Sequence, residues 1–134
     1  MADTGKATIL VCDDEPHIVH VVAAKLRNAG FEVETASDGQ EALQRAKARR
    51  PDLIISDFQM PNMSGLELAA RLRAEPALRD VPIVMLTARG FALEPAELAS
   101  TGIRCVMAKP FSPREVLAAA RKLLDAVSAT AMEN

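Results

Sequence analysis

The chain has 134 residues, of which 49% are hydrophobic, and this length and composition suit one domain with a single core. Its net charge is −2 with acidic and basic residues interspersed, so no basic face indicates nucleic acid or a membrane surface. The N-terminus lacks the apolar region of a signal peptide, and no apolar run reaches the length of a membrane span. We therefore predict a cytoplasmic protein with no direct nucleic acid contact and no membrane contact.

Short apolar runs alternate with segments of helical periodicity along the chain. Five runs rich in Val, Ile and Leu predict strands near residues 7–13, 32–36, 52–57, 82–87 and 104–108. Such alternation is typical of βα units around a parallel sheet. Because crossover connections are right-handed, few windings remain, and we predict a doubly wound α/β fold with five helices and the strand order 2-1-3-4-5.

Capping residues mark the starts of three of the predicted helices. Ser64 and Ser112 are each followed three residues later by glutamate, which is the spacing of a capping box. Asp38 and Glu41 have a looser version of the same pattern. These positions predict helices that begin just after each capping residue.

The last two predicted helices have less regular ends. Pro95 cannot lie inside a continuous helix, so we expect a short fourth helix that begins near it and ends before Gly102. The last helix is expected to end near Val127, with a frayed tail at 128–134. We therefore interpret 1–134 as a single domain with a core at about 7–127.

Four of the predicted strands end on reactive side chains. These are Asp13 and Asp14, Asp57, Thr87 and Lys109. The carboxyl ends of parallel strands meet at one edge of the sheet, and the first and third strands are neighbours in the predicted order. The sequence therefore predicts one crevice that contains three carboxylates, a hydroxyl and an ammonium group.

Three carboxylates in a partly desolvated pocket repel one another, and a divalent cation would remove that conflict. Asp13, Asp14 and Asp57 offer oxygen ligands, which suit a hard ion such as Mg²⁺ or Mn²⁺. With a cation bound, Asp57 can act as a nucleophile toward a phosphoryl group and form an aspartyl phosphate. Lys109 would neutralise one phosphoryl oxygen and Thr87 would donate to another, because phosphoryl transfer needs mainly positioning and neutralised oxygens.

Taken together, these motifs resemble the receiver domain of response regulators in two-component phosphorelay systems. The resemblance rests on DDE at 13–15, Asp57 followed by MPNMSG at 60–65, LTA at 86–88 and KPF at 109–111. It implies a flavodoxin-like fold and a phosphorylation-dependent signalling switch or relay. Its partners would be a histidine kinase or histidine phosphotransfer protein, which donates the phosphoryl group to Asp57, and a downstream protein target. Such a domain supports its own phosphorylation and autodephosphorylation and is not otherwise an enzyme.

The resemblance also implies roles for individual residues. The Mg²⁺ ligands would be the carboxylates of Asp13, Asp14 and Asp57 and the backbone carbonyl of Gln59. Lys109 would contact the phosphoryl group and precede a cis bond to Pro110, since cis peptide bonds are cheap only before proline. Gly65 would open the third helix.

One position departs from the family pattern. Receivers usually carry Tyr or Phe three residues before the lysine, where this chain has Val106. A β-branched side chain is stiff at χ1 and cannot move between two pockets as an aromatic ring does. We therefore expect signalling through the fourth helix, fifth strand and last helix to depend on ordering of the loop at 88–95, which contains Ala88 and Arg89.

Two loop residues are candidates for control of the signal lifetime. Gln59 and Arg89 lie two residues beyond Asp57 and Thr87, and they can gate the water that hydrolyses the acyl phosphate. The simpler interpretation is that both are solvated loop residues.

Rival functions fit the residues less well. A phosphohydrolase of the haloacid dehalogenase type usually carries a second acid two residues after its nucleophile, where this chain has Gln59. A flavin binder needs a phosphate loop after the first strand, and the acidic residues at 13–15 would repel the phosphate. A receiver-like module that is never phosphorylated stays open. We expect a stand-alone receiver that is a monomer or weak dimer, although a piece of a longer regulator is equally compatible.

Overall fold

The computed structural model describes residues 6–87, 101–109 and 111–133, with side chains of the last helix described through residue 125. The strands are β1 (Thr8–Cys12), β2 (Glu32–Ala36), β3 (Leu53–Asp57), β4 (Ile83–Thr87) and β5 (Ile103–Ala108). The described helices are α1 (Pro16–Asn28), α2 (Gly39–Ala48), α3 (Gly65–Ala74) and α4 (Pro113–Glu133). All neighbouring strands are parallel, in the order β2-β1-β3-β4-β5, so the predicted doubly wound fold is confirmed. The helix expected from Pro95 lies outside the described residues.

The sheet has a hydrophobic core on each face. Along β1, Leu10 and Cys12 pack on the side of α2 and α3, whereas Ile9 and Val11 pack on the side of α1 and α4. The three central strands are buried along their whole length. Burial on both faces explains why the sequence shows continuous apolar runs there.

The predicted helix caps are confirmed for α2, α3 and α4. The cap hydrogen bonds join the backbone N–H of Glu41 to Asp38 Oδ1 (2.8 Å), that of Glu67 to Ser64 Oγ (3.1 Å) and that of Glu115 to Ser112 Oγ (3.1 Å). The start of α1 is different, because its N-cap residue is Glu15 and the Glu15 side chain makes no cap hydrogen bond. The Glu15 carboxylate is therefore available for other contacts.

The last helix is longer than the sequence analysis predicted. We expected the helix to end near Val127, but α4 continues to Glu133, and the fraying of 128–134 stays a prediction. Residues 129–133 are Ala, Thr, Ala, Met and Glu, and most of these have high helix propensity, which explains the extension. Neither α4 nor any other described helix is both long and apolar enough to cross a membrane.

The two cysteines are free thiols in different surroundings. Burial, reinforced by nearby carboxylates, raises the pKa of the Cys12 thiol to about 12. Cys105 is only half-buried, and burial raises the pKa of its thiol as well. Because the thiolate is the reactive species, we expect iodoacetamide to alkylate Cys105 at least about tenfold faster than Cys12 in the folded protein.

The measurement is a labelling time course followed by peptide mass spectrometry. In concentrated urea both thiols are exposed and should react at similar rates, which provides the control. Rapid alkylation of Cys12 in the folded protein would contradict its burial.

Candidate functional site

The register between β1 and β3 places the predicted carboxylates together. Cys12 pairs with Ser56 in these parallel strands, so the residues that follow them, Asp13 and Asp57, are neighbours at the C-terminal edge of the sheet. One carboxylate oxygen from each of Asp13, Asp14 and Asp57 lies within 4.8 Å of the other two. Asp13 is 1% exposed and Asp57 is 5% exposed, whereas Asp14 is on the surface.

The register of the next two strands brings Thr87 and Lys109 to the same edge. Asp57 pairs with Leu86 across β3 and β4, and Thr87 pairs with Ala108 across β4 and β5. The backbone N–H of Lys109 donates to the carbonyl of Thr87 at 2.7 Å, which holds Lys109 beside the end of β4. The structure therefore brings all the predicted strand-end residues to one edge of the sheet.

Lys109 contacts three acids in this pocket. Its Nζ lies 2.9 Å from Asp57 Oδ1, 3.5 Å from Glu15 Oε1 and 3.8 Å from Asp13 Oδ2. Partial burial acts to lower the pKa of the Lys109 ammonium, but the hydrogen bond to Asp57 and the negative charges around it raise that pKa above its ordinary value. Lys109 is therefore positively charged throughout the physiological pH range.

The carboxylate of Asp13 is buried, and its negative charge is only partly compensated. Its Oδ1 accepts a hydrogen bond from the backbone N–H of Glu15 at 2.9 Å, but its Oδ2 has no hydrogen-bond partner among the described residues. Burial raises the pKa of Asp13 from 3.8 to about 6, and the charge of Asp57 acts in the same direction. Burial also raises the pKa of Asp57, in opposition to Lys109. A cation beside these oxygens would offset the repulsion, so the donor set fits a hard divalent ion.

This burial predicts a pH-dependent stability in metal-free protein. A carboxyl whose pKa is higher in the folded state than in the unfolded state keeps its proton longer when folded, so its contribution to stability is lost as the pH rises from about 4 to about 6. We expect Asp13→Asn to raise the free energy of unfolding by about 1–3 kcal/mol at neutral pH, where wild-type Asp13 is charged, and by much less near pH 4.

Urea unfolding in EDTA at both pH values measures this difference. Asp14→Asn is the matched control, because it removes an exposed carboxylate of the same cluster and should change the stability much less. An Asp13→Asn protein no more stable than wild type at neutral pH would contradict the cost assigned to the buried charge.

The backbone after Asp57 is held closely against the start of α3. The N–H of Gly65 donates to the carbonyl of Phe58, and the N–H of Phe58 donates to the carbonyl of Leu86, both at 2.7 Å. A Cβ atom at Gly65 would collide with the carbonyl oxygen of Asp57 and would lie 2.7 Å from Met85 Sδ. Gly65 opens α3, as the resemblance implied, and only a glycine permits this approach to Asp57.

The structure describes only some of the predicted switch and gating residues. Gln59 is exposed and lines a cavity of about 400 Å³ together with Asp14, Glu15, Asp57 and Lys109. Val106 is 37% exposed on β5. Ala88, Arg89 and Pro110 lie outside the described residues, so the loop at 88–95 and the bond before Pro110 stay predictions.

Glu15 is the pocket residue that the sequence analysis did not single out. It is part of the DDE motif, but no role of its own was predicted for it. The available signal was its position between an acidic pair and Pro16, which places an acid at the N-cap of a helix that starts beside the strand end. Its contact with Lys109 joins residues 94 positions apart, so it becomes visible only in the folded chain.

A sequence profile of the response regulator receiver domain matches residues 9–121. The chain belongs to the receiver domain family. Among solved structures, this receiver domain is similar to the chemotaxis response regulator CheY4 of Vibrio cholerae, with 38% identity, a TM-score of 0.79, and coverage of 89% of this chain and 98% of CheY4. It is also similar to the receiver domain of the sensor histidine kinase PA1611 of Pseudomonas aeruginosa, which has a magnesium ion in its active site cleft. There the identity is 29%, the TM-score is 0.79, and 90% of this chain and 98% of that one are covered.

Longer regulators share the same domain. The alkaline phosphatase synthesis transcriptional regulatory protein PhoP of Bacillus subtilis is 41% identical over 116 residues, which are 87% of this chain and 48% of PhoP. The phosphate regulon transcriptional regulatory protein PhoB of Pseudomonas aeruginosa is 40% identical over 117 residues, which are 87% of this chain and 51% of PhoB. This receiver domain thus spans about half the length of the curated relatives it matches. The profile match and these relatives confirm the predicted family. Receiver domains are phosphorylated on aspartate in two-component signalling.

Proposed function

We propose that this receiver domain is a signalling switch or relay in which Asp57 accepts a phosphoryl group in a Mg²⁺-dependent reaction. The main support is the position of Asp57, whose Oδ1 lies 2.9 Å from Lys109 Nζ and whose carboxylate clusters with those of Asp13 and Asp14. A pocket that combines an acceptor carboxylate with an ammonium and two further acids contains the groups that phosphoryl transfer needs.

In this proposal the carboxylates of Asp13, Asp14 and Asp57 and the backbone carbonyl of Gln59 hold the ion. The chemistry of the donors supports Mg²⁺, with Mn²⁺ as an alternative, because all four are oxygen ligands. The buried Asp13 Oδ2, without a hydrogen-bond partner among the described residues, supports it as well. When bound, such an ion neutralises negative charge on the phosphoryl oxygens.

Residues of the chain itself carry the transfer. An Asp57 carboxylate oxygen forms a bond to phosphorus while the phosphorus–nitrogen bond of a phosphohistidine breaks, and the imidazole keeps the electron pair. Lys109 neutralises a phosphoryl oxygen, because its ammonium lies 2.9 Å from Oδ1 of the Asp57 carboxylate to which the phosphoryl group would be attached. Thr87, buried at the end of β4, would donate its hydroxyl hydrogen to another phosphoryl oxygen. Hydrolysis of the aspartyl phosphate, with Gln59 and Arg89 as candidates to gate the water, would return the domain to its initial state.

The proposed partners are a histidine kinase or histidine phosphotransfer protein and a downstream protein target. The target would dock on the surface that includes β5 and α4, where Val106 is exposed in place of the usual aromatic residue. The absence of direct nucleic acid contact stays a prediction, because PhoP and PhoB are transcriptional regulatory proteins. The monomeric or weakly dimeric state and the cytoplasmic location also stay predictions.

The test is incubation with acetyl phosphate in Mg²⁺ or in EDTA, followed by intact-mass analysis. We expect a mass gain of one phosphoryl group in Mg²⁺ and none in EDTA. Borohydride reduction and peptide mapping should then place the modification at Asp57. No gain in Mg²⁺, or a gain at another residue, would overturn the proposal.

A further inference from the structure

Glu15 lies at the mouth of the pocket with its backbone held firmly. Its N–H donates to Asp13 Oδ1 at 2.9 Å, and its carbonyl accepts from the N–H of Val19 at 3.1 Å. Its side chain makes no capping hydrogen bond at the start of α1, although it occupies the N-cap position. The side chain is 60% exposed, and its Oε1 instead lies 3.5 Å from Lys109 Nζ.

The charges around Lys109 leave the pocket negative even with a divalent cation. Four carboxylates, those of Asp13, Asp14, Glu15 and Asp57, share this pocket with one ammonium, that of Lys109. A bound divalent ion together with Lys109 would balance three of them. Glu15 is the one acid outside the proposed ligand set, and it lines the opening through which an anionic phosphodonor must approach Asp57. A charge at the mouth of a narrow cleft changes the local concentration of charged ligands and their rate of entry.

We propose that Glu15 restrains Lys109 at the pocket mouth and selects against phosphodonors of high negative charge. This inference rests on the proposed phosphorylation of Asp57. In the transfer, an Asp57 oxygen bonds to phosphorus while the leaving group, acetate from acetyl phosphate or ammonia from phosphoramidate, departs with the electron pair of its broken bond. Acetyl phosphate is a dianion at neutral pH and phosphoramidate carries less negative charge, so repulsion by Glu15 slows the first donor more than the second.

The experiment compares wild type with Glu15→Gln and with Glu75→Gln. Glu75 is the matched control because it forms an exposed ion pair with Lys47 at 3.3 Å and lies at the C-terminal end of α3, away from the pocket. Phosphorylation rates are measured with each donor at saturating Mg²⁺ and at low and high ionic strength. We expect Glu15→Gln to raise the rate with acetyl phosphate about 3- to 10-fold at low ionic strength, and that with phosphoramidate by less than about twofold. High salt should shrink the difference, and Glu75→Gln should match wild type.

Two further readouts separate this role from a structural one. In metal-free protein, the nitrogen-15 resonance of the Lys109 ammonium should shift in Glu15→Gln and stay in place in Glu75→Gln. Glu15→Asp, which keeps the charge, should restore most of the donor discrimination. A merely structural role would lower stability to urea and change both rates together, and the ratio of the two rates would not move.

The failures are distinguishable. Phosphorylation of Asp57 with the same donor ratio in Glu15→Gln and wild type would overturn the role of Glu15 and leave the proposed function standing. An equal effect in Glu75→Gln would assign the change to net charge and would also overturn it. Failure of wild type and every variant to be phosphorylated would overturn the proposed function itself.

Discussion

Asp57→Asn is expected to abolish phosphoryl incorporation from acetyl phosphate and Mg²⁺. The amide has nearly the same shape as the carboxylate but lacks the nucleophilic oxygen that forms the aspartyl phosphate. The fold should persist, because burial already disfavours the charged form of Asp57 and Lys109 keeps its contacts with Asp13 and Glu15. Intact-mass analysis measures the incorporation, and urea unfolding should show a change in stability of less than about 2 kcal/mol.

Asp80→Asn is the control for this substitution. Asp80 is an exposed aspartate between α3 and β4, so its replacement changes the net charge equally and leaves the pocket intact. It should incorporate phosphate at the wild-type rate. Incorporation by Asp57→Asn at a comparable rate would mean that another residue is the acceptor.

Gly65→Ala is expected to destabilise the fold by about 2–3 kcal/mol and to slow phosphorylation of Asp57. The added Cβ would collide with the Asp57 carbonyl oxygen and would lie 2.7 Å from Met85 Sδ and 3.0 Å from Phe58 Cα. Backbone hydrogen bonds from Gly65 to Phe58 and from Phe58 to Leu86 prevent easy relaxation, so overpacking must displace the acceptor strand end or the start of α3. Urea unfolding and the rate of mass gain measure the two effects.

Gly39→Ala provides a matched comparison. Gly39 is also a buried glycine at the first position of a helix, but the nearest contact of an added Cβ would be the side chain of Met63 at 3.0 Å. A rotamer change moves Met63 Sδ and Cγ away, but Met63 Cβ, also 3.0 Å from the added atom, moves only with its backbone. We therefore expect a cost of about 1 kcal/mol, which is less than for Gly65→Ala because no backbone atom is struck directly. Equal costs for the two substitutions would show that contact with the Asp57 backbone is not what requires glycine at position 65.

Much of the fold was predictable because its central strands are buried on both faces. Continuous apolar runs in β1, β3 and β4 made these strands visible, and the capping residues Asp38, Ser64 and Ser112 marked three helix starts. Right-handed crossovers left few possible windings, and the predicted order 2-1-3-4-5 is the one that the structure shows. The end of α4 was predicted less well, because an apolar stripe that runs to Val127 does not limit how far a helix of good helix formers extends.

The sequence by itself determined which side chains meet at the C-terminal edge of the sheet, because parallel strands end together there and each of these residues closes a strand or follows one. They are Asp13, Asp14, Asp57, Thr87 and Lys109. Only the tertiary structure determined the burial and the contacts of each of these side chains. Asp13 is buried and Asp14, its neighbour in the chain, is exposed, since one faces the interior and the other faces water. Glu15 reaches Lys109 and Gly65 touches the Asp57 backbone through contacts between distant segments. Such contacts depend on register and on the paths of helices, which no local pattern of residues specifies.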